Sequence, residues 1–313
     1  MATAAHIDAS PSGSDHAKSE LADTVCPVSE TRVQVPANAG ESGEWGDWAI
    51  LREPPPGAVV LDLTDVSFVD PFFLLRLRGF IDWHCFNGHE VRVTCPRRPS
   101  VRSYLARMHL SKDLPDICEC DLEILEPDAK SAVLIPIRRL RSAGESEELE
   151  QELGALYTAH FTGGLARLAE PFTATVGEIC DNATTHGRSA VGAAYVAAQR
   201  YSHSRCVLVI GDLGVGVPTH MRKAFPHLTD DGDAIREATK EGLSGTGDPQ
   251  RGVGYQYVID ALKTSEVPYG ELRIWSGNGR FRVEAFGGRQ GRRRAWTVEH
   301  STVGTWARLE LRS

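Results

Sequence analysis

Apolar residues change their spacing along the first third of the chain in a way that predicts alternating strands and helices. The compact run Val59 to Leu63 precedes Asp70, after which apolar residues recur at helical spacing through Phe80. Asp70 suits an N-cap, and Pro71 suits the first helical position. The remaining elements predicted here are one or two edge strands over 31–51, a strand over 90–95, a helix over 99–108 and a strand over 122–125. This alternation predicts an α/β domain over residues 31–127, preceded by a disordered tail over residues 1–30.

A polar segment that contains Pro127 follows, and it predicts a domain boundary. Beyond it, the acidic and then amphipathic stretch from Gly144 to His160 predicts a helix. The predicted strands are 132–137, 191–201, 205–210, 271–276, 280–286, 295–300 and 305–311. We therefore expect a second α/β domain over residues 128–313, built on a mixed sheet.

Composition limits the class of protein. The chain has 313 residues, of which 41% are hydrophobic and 24% charged, as in ordinary globular proteins. Its formal net charge of -8 argues against direct nucleic-acid binding. The basic run Arg292 to Arg294, with Arg289 nearby, lies among glycines and favours a solvated hairpin tip over a nucleic-acid patch.

Neither a membrane span nor a signal pattern is visible in the sequence, so we expect a cytoplasmic protein with no membrane partner. The seven cysteines are scattered, and an odd number favours free thiols. Cys118 and Cys120 form a C-x-C pair without a second pair at ligand spacing. Strand residues on one face are therefore favoured over a metal site.

Candidate chemistry concentrates between residues 177 and 255. Glu178, Asn182 and His186 recur every four residues, so on a helix they share one face and converge on a single ligand. An apolar run then stops at Asp212, which opens the sequence Asp-Leu-Gly-Val-Gly, and a flat ring can lie against a backbone with two side-chain-free positions. Gly252-Val-Gly254 leads into a helical pattern over 255–262, and a helix start offers N–H groups to phosphate.

The first domain resembles the STAS domain of anti-sigma-factor antagonists. The resemblance rests on Val-Leu-Asp-Leu-Thr-Asp-Val-Ser-Phe-Val-Asp before the predicted helix, and on Gly-His-Glu-Val-Arg-Val and Val-Arg-Ser-Tyr-Leu after it. It covers about residues 45–126. In that family a phosphorylatable serine commonly follows the aspartate that matches Asp70. This chain has Pro71 there, and proline has no hydroxyl group to phosphorylate.

The second domain resembles the GHKL ATPases, which have the two-layer α/β sandwich called the Bergerat fold. Four motifs occur in the family's order: Glu-Ile-Cys-Asp-Asn-Ala-Thr-Thr-His, Asp-Leu-Gly-Val-Gly, Arg-Gly-Val-Gly and Gly-Thr at 304–305. One such motif is weak, but four in order are specific. The resemblance implies ATP and Mg²⁺ as ligands, a two-layer fold and a lid at about 217–251. We expect the lid segment, which is rich in glycine, not to belong to a rigid core.

The resemblance also implies a role for each candidate residue. Asn182 would supply an oxygen ligand to Mg²⁺, and Glu178 would act as a base or, alternatively, form a surface salt bridge. His186 would contact phosphate or only line the site. The candidates at the base are Asp212, Gly214, Gly216 and Thr305, although Asp212 could alternatively be a simple turn-forming aspartate. The candidates at the phosphates are Arg251, Gly252 and Gly254.

These resemblances favour an ATP-binding regulator of the anti-sigma-factor serine-kinase type. It would phosphorylate or sequester a partner such as a sigma factor or a STAS-type regulator, and a homodimer stays open. A non-hydrolysing ATP-dependent switch or an interaction scaffold is the alternative. A histidine kinase is disfavoured because Phe161, not an acidic residue, follows His160. We also expect no DNA-topology or mismatch-repair ATPase, because no transducer domain follows Thr305 in this sequence.

Overall fold

The fold is taken from a computed structural model. It describes residues 30–39, 57–127, 133–160, 176, 180, 189, 191–201, 205–240, 254–264 and 267–312. The predicted tail, the domain boundary at 128–132 and the candidate residues Glu178, Asn182, His186, Arg251 and Gly252 lie outside these residues.

The N-terminal unit contains a parallel four-stranded sheet in the order β1-β3-β5-β6, with β2 and β4 forming a separate short pair. Its elements are β1 (Glu30–Gln34), β2 (Asn38–Ala39), β3 (Ala58–Asp62), β4 (Phe68–Val69), α1 (Pro71–Phe86), β5 (Val91–Thr94), α2 (Pro99–Arg107) and β6 (Cys118–Cys120). Parallel strands joined through helices confirm the predicted α/β class.

The C-terminal unit contains an antiparallel five-stranded sheet in the order β10-β11-β9-β8-β7. Its elements are β7 (Val133–Leu140), α3 (Ala143–His160), β8 (Ala194–Tyr201), β9 (Arg205–Asp212), α4 (Val217–Ala224), α5 (Asp231–Ala238), α6 (Gly254–Thr264), β10 (Tyr269–Phe286) and β11 (Arg289–Arg312).

The two long C-terminal strands fold back on themselves. Around Gly277, which has a φ of 56°, the β10–β11 pairing shifts register. Arg282 Nε then lies 2.5 Å from Glu271 Oε2, although the two residues are eleven positions apart in the same strand. The arm 279–286 therefore lies beside the arm 269–276, which explains why the sequence predicts several short strands where the structure has two continuous ones.

Helix α1 begins as its sequence predicts. The Asp70 carboxylate accepts a hydrogen bond from the Phe73 N–H at 2.8 Å, and Pro71 occupies the first turn. Of its 16 residues, 14 are buried, including Arg78 and Asp82. A helix buried on all sides must be covered by more than one layer.

The second cover of α1 is the five-stranded sheet, whose two faces belong to different cores. One core joins α1 to Tyr195, Val209 and Trp306, and the other joins α3 and α6 to neighbouring strand residues such as Ile210 and Ala307. Because side chains alternate along a strand and both faces of the sheet are covered, β9 is almost continuously apolar from Cys206 to Ile210. The two units therefore share one of these cores.

A buried polar cluster fixes α1 on the sheet. Asp82 accepts hydrogen bonds from Arg78 Nε at 3.2 Å and from the Tyr195 hydroxyl on β8 at 2.8 Å. Arg139 Nε on β7 lies 3.4 Å from the same carboxylate, whose side chain is 2% exposed. Since a buried charge without partners is strongly unfavourable, this cluster specifies where the helix sits.

One predicted strand is wrong, and the expectation of a segment without rigid core at about 217–251 needs correction for residues 217–240. Residues 122–125 form no strand, and the second strand after α1 is instead β6, where Cys118 pairs with Val91. Residues 217–240 of the expected lid segment include α4 and α5, and Met221 of α4, Ala234 of α5 and Leu228 between them are buried together. Apart from Gly232, the glycines of this segment lie within residues 241–253, which are outside the described part.

Replacing Asp82 should destabilise the protein strongly. Asp82→Ala removes the carboxylate partner of the buried Arg78 guanidinium and of the half-buried Arg139, which costs about 3–5 kcal/mol. Urea unfolding measures the change, and Asp65→Ala, which breaks an exposed pair with Arg97, is the control. Equal, small effects of both variants would contradict the role given to this cluster.

Candidate functional site

The candidate site is the turn that follows the central strand β9. Asp212 is the last residue of β9 and lies between Ala194 on β8 and Thr305 on β11. Its Oδ1 accepts a hydrogen bond from the Gly214 N–H at 2.6 Å, and the backbone of Thr305 also hydrogen-bonds to the carboxyl group. Strand alternation directs Asp212 and Thr305 away from α1, toward the core that contains α3 and α6.

Two glycines are required by the geometry of this turn. Gly216, with a φ of 81°, precedes α4, and a Cβ there would lie 2.7 Å from Ser276 Oγ. Gly304 has a φ of 73°, and a Cβ there would lie 1.8 Å from the Asp212 carbonyl oxygen. A side chain at Gly304 would push β11 away from β9, and one at Gly216 would push the start of α4 away from β10, so the glycines permit the close approach that forms the site.

Ser276 connects the pieces of the site, although its sequence context does not single it out. Its hydroxyl donates to the Gly304 carbonyl at 2.8 Å and accepts from the Val217 N–H at 2.9 Å. The same oxygen lies 3.1 Å from Thr305 Oγ1. The only signal in the sequence is its position at the end of a predicted strand, directly before Gly277.

The Asp212 carboxyl group is in an unusual electrostatic state. Burial raises its pKa to about 7, although the backbone hydrogen bonds from Gly214 and Thr305 act to lower it. The residue is 7% exposed. A buried acid with a displaced pKa at the end of a strand is typical of a functional site, and as a carboxylate it can accept a hydrogen bond from an amine.

Some of the other predicted site residues lie within the described part of the structure, and the rest lie outside it. Gly214 and Gly216 lie in the Asp212 turn, and Thr305 is its partner on β11. Gly254 is the first residue of α6. The convergence of these positions with Glu178, Asn182, His186, Arg251 and Gly252 stays a prediction, because those five lie outside the described residues.

The position that would carry the phosphorylated serine in STAS domains is enclosed. Pro71 is buried in the first turn of α1. The neighbouring Phe72 packs on Trp275 of β10, with ring centroids 4.2 Å apart. This end of α1 therefore faces the sheet, on the side opposite to Asp212.

Comparison with known proteins yields only distant likeness. No described protein family and no curated protein matches the sequence. Among solved structures, the chain is similar to the B-subunit of the DNA gyrase from Myxococcus xanthus, with 14% identity and a TM-score of 0.27, over 53% of this chain and 42% of that chain. It is also similar to the 43K ATPase domain of Thermus thermophilus gyrase B in complex with an aminocoumarin, with 15% identity and a TM-score of 0.19, over 34% and 24%.

This chain thus spans less than half the length of either structure. Scores this low carry no argument about function. What the described residues define is an α/β protein with a buried acidic turn at the end of its central strand. Within them, no helix is long and apolar enough to cross a membrane.

The raised pKa of Asp212 predicts that Asp212→Asn stabilises the ligand-free protein at neutral pH. Because the pKa is about 7 in the folded protein and 3.8 for an ordinary aspartate, as in the unfolded chain, the penalty of ionising the buried acid is absent below about pH 4 and complete above about pH 7. Its size is on the order of 4 kcal/mol, because each pKa unit corresponds to about 1.4 kcal/mol. Thermal unfolding from pH 4 to pH 8 should show the variant gaining over wild type as pH rises. A constant difference across that range would contradict the assignment.

Proposed function

We propose that this protein is an ATP-binding regulator of the GHKL type, which binds Mg·ATP and acts on a partner protein. The observation that carries the proposal is the Asp212 turn. A buried carboxyl group, two glycines required by close contact and the Gly304-Thr305 element meet there, and each belongs to a motif that resembles the family's.

At the base, Asp212 accepts a hydrogen bond from the exocyclic amine of adenine. The bond favours the charged form of the acid and offsets the penalty of burial. Thr305, whose hydroxyl is held beside Ser276 Oγ, supports the same edge of the ring directly or through water. Gly214 and Gly216 leave room for the ring to approach the backbone.

At the phosphates, we propose that Gly252 and Gly254 let backbone N–H groups reach phosphate oxygens and that Arg251 adds charge-assisted hydrogen bonds; of these residues, Gly254 is the first residue of α6. Asn182 provides an amide oxygen to Mg²⁺, which keeps phosphate and water oxygens as its other ligands. Glu178 accepts a proton from the attacking hydroxyl group, and His186 contacts phosphate or lines the pocket.

We further propose phosphoryl transfer to a serine of a partner protein, with the N-terminal unit as a STAS-like regulatory module. Because Pro71 has no hydroxyl group and is buried, the phosphate acceptor belongs to another protein. The alternative, a switch that binds ATP without turning it over, is favoured by one observation: α1 is packed on the sheet that carries Asp212.

Calorimetric titration with Mg·ATP tests the base site. Wild type should bind, and Asp212→Asn should lose at least tenfold in affinity because the amide places a donor group where an acceptor is needed. Asp116→Asn, the same change at an exposed position in the N-terminal unit, should bind as wild type does. Binding by Asp212→Asn that equals wild type would overturn the proposed site.

Incubation with γ-labelled ATP and cell lysate separates the kinase from the switch. A kinase transfers label to a protein, and Glu178→Ala should slow this transfer by about 10²–10⁴-fold, as for loss of a general base. Glu147→Ala, an exposed acid on α3, should transfer label as wild type does. If wild type and both variants bind ATP but neither transfer the labelled phosphate to a protein nor release it to water, the switch is favoured.

A further inference from the structure

The indole of Trp306 occupies a slot made by two glycines from different units. A Cβ added to Gly211 of β9 would lie 2.1 Å from Trp306 Cε3, and one added to Gly79 of α1 would lie 3.0 Å from Trp306 Cη2. The Trp306 Nε1 donates to the Val303 carbonyl at 2.9 Å, and the side chain is 2% exposed. The ring is therefore held between strand and helix with no room for a methyl group on the strand side.

A second side chain reaches α1 from the same place. Leu213, the residue after Asp212, is 2% exposed, and its Cδ2 lies 3.5 Å from the position of a Cβ on Gly79. Trp306 and Leu213 are thus direct chain neighbours of Thr305 and Asp212. The two apolar side chains contact α1, while the two polar ones belong to the candidate site.

The backbone of these pairs is tightly coupled. Thr305 pairs with Asp212 across β9 and β11, and Gly304 is in close contact with the Asp212 carbonyl group. Close-packed protein interiors transmit small shifts, so a displacement of the Trp306 ring by a few tenths of an ångström is passed on to its neighbours. It therefore moves the strand ends that carry the Asp212 turn.

We infer that Trp306 and Leu213 are positioning residues, through which the seating of α1 at Gly79 sets the geometry of the Asp212 turn. A consequence for ATP follows, and it rests on the proposed function: the affinity for ATP depends on how the N-terminal unit is docked on the sheet. Coupling of this kind is reciprocal, so a ligand at Asp212 also stabilises the docked position of α1.

The test uses a clash and its relief. Gly79→Ala adds a methyl group against the Trp306 ring, and in Gly79→Ala/Trp306→Phe the smaller ring makes room for it. The control is Tyr104→Phe, which removes a hydrogen bond of 2.7 Å to Gln199 at the same interface but far along β8 from Asp212. Amide hydrogen exchange of Gly214 and Val217, and the affinity for Mg·ATP, are measured in the full chain.

We expect faster exchange of both amides and an affinity about fivefold or more lower in Gly79→Ala, with both values restored toward those of Trp306→Phe alone in the double variant. Tyr104→Phe should leave both readouts near wild type. If Gly79→Ala matches wild type, or if Trp306→Phe fails to relieve its effect, the inference is wrong.

The exchange readout separates this inference from the proposed function. It needs no nucleotide, because the Gly214 and Val217 amides donate to Asp212 and Ser276 in the protein itself. If wild type binds no ATP but Gly79→Ala exchanges its Gly214 and Val217 amides faster and Trp306→Phe relieves this, ATP binding is refuted and the positioning role is supported. ATP binding with no change in exchange or affinity would refute the positioning role alone.

Discussion

The burial of α1 between two sheets is the constraint on which the rest of the structure depends. The helix carries Asp82 into a nearly dry interface, where the carboxylate is satisfied by Arg78, Tyr195 and Arg139. Because a buried charge tolerates few alternative positions, the polar cluster fixes the location of the helix, and α1 shares an apolar core with Trp306 and its neighbours on the sheet. The central sheet is therefore covered on both faces.

That cover explains how a site can form at the end of β9. With one face occupied by α1, the strand ends are held rigidly, and Gly216 and Gly304 bring β9, β11 and α4 close enough to enclose Asp212. Burial raises the pKa of the enclosed acid to about 7, so its ionisation near neutral pH opposes stability. Such a conflict between stability and local chemistry is common where a protein binds a ligand.

Local rules were sufficient for the start of α1 and for the Asp212 turn. Asp70 and Pro71 predict the start of α1, and Asp212 with its glycines predicts the turn, because helix caps and glycine-rich turns depend on neighbours in sequence. The docking of α1 could not be predicted, since Gly79, Asp82, Tyr195 and Trp306 meet only after long-range folding. The second strand after α1 was misplaced for the same reason: pairing with Val91 selected Cys118 over the more apolar residues that follow it.

The most direct measurement is a crystal structure of the protein with Mg²⁺ and a non-hydrolysable ATP analogue. The account predicts an adenine amine within hydrogen-bonding distance of the Asp212 carboxylate, on the face of the sheet opposite α1, with α1 still packed on Trp306. A nucleotide bound elsewhere, or an adenine that does not contact Asp212, would contradict it.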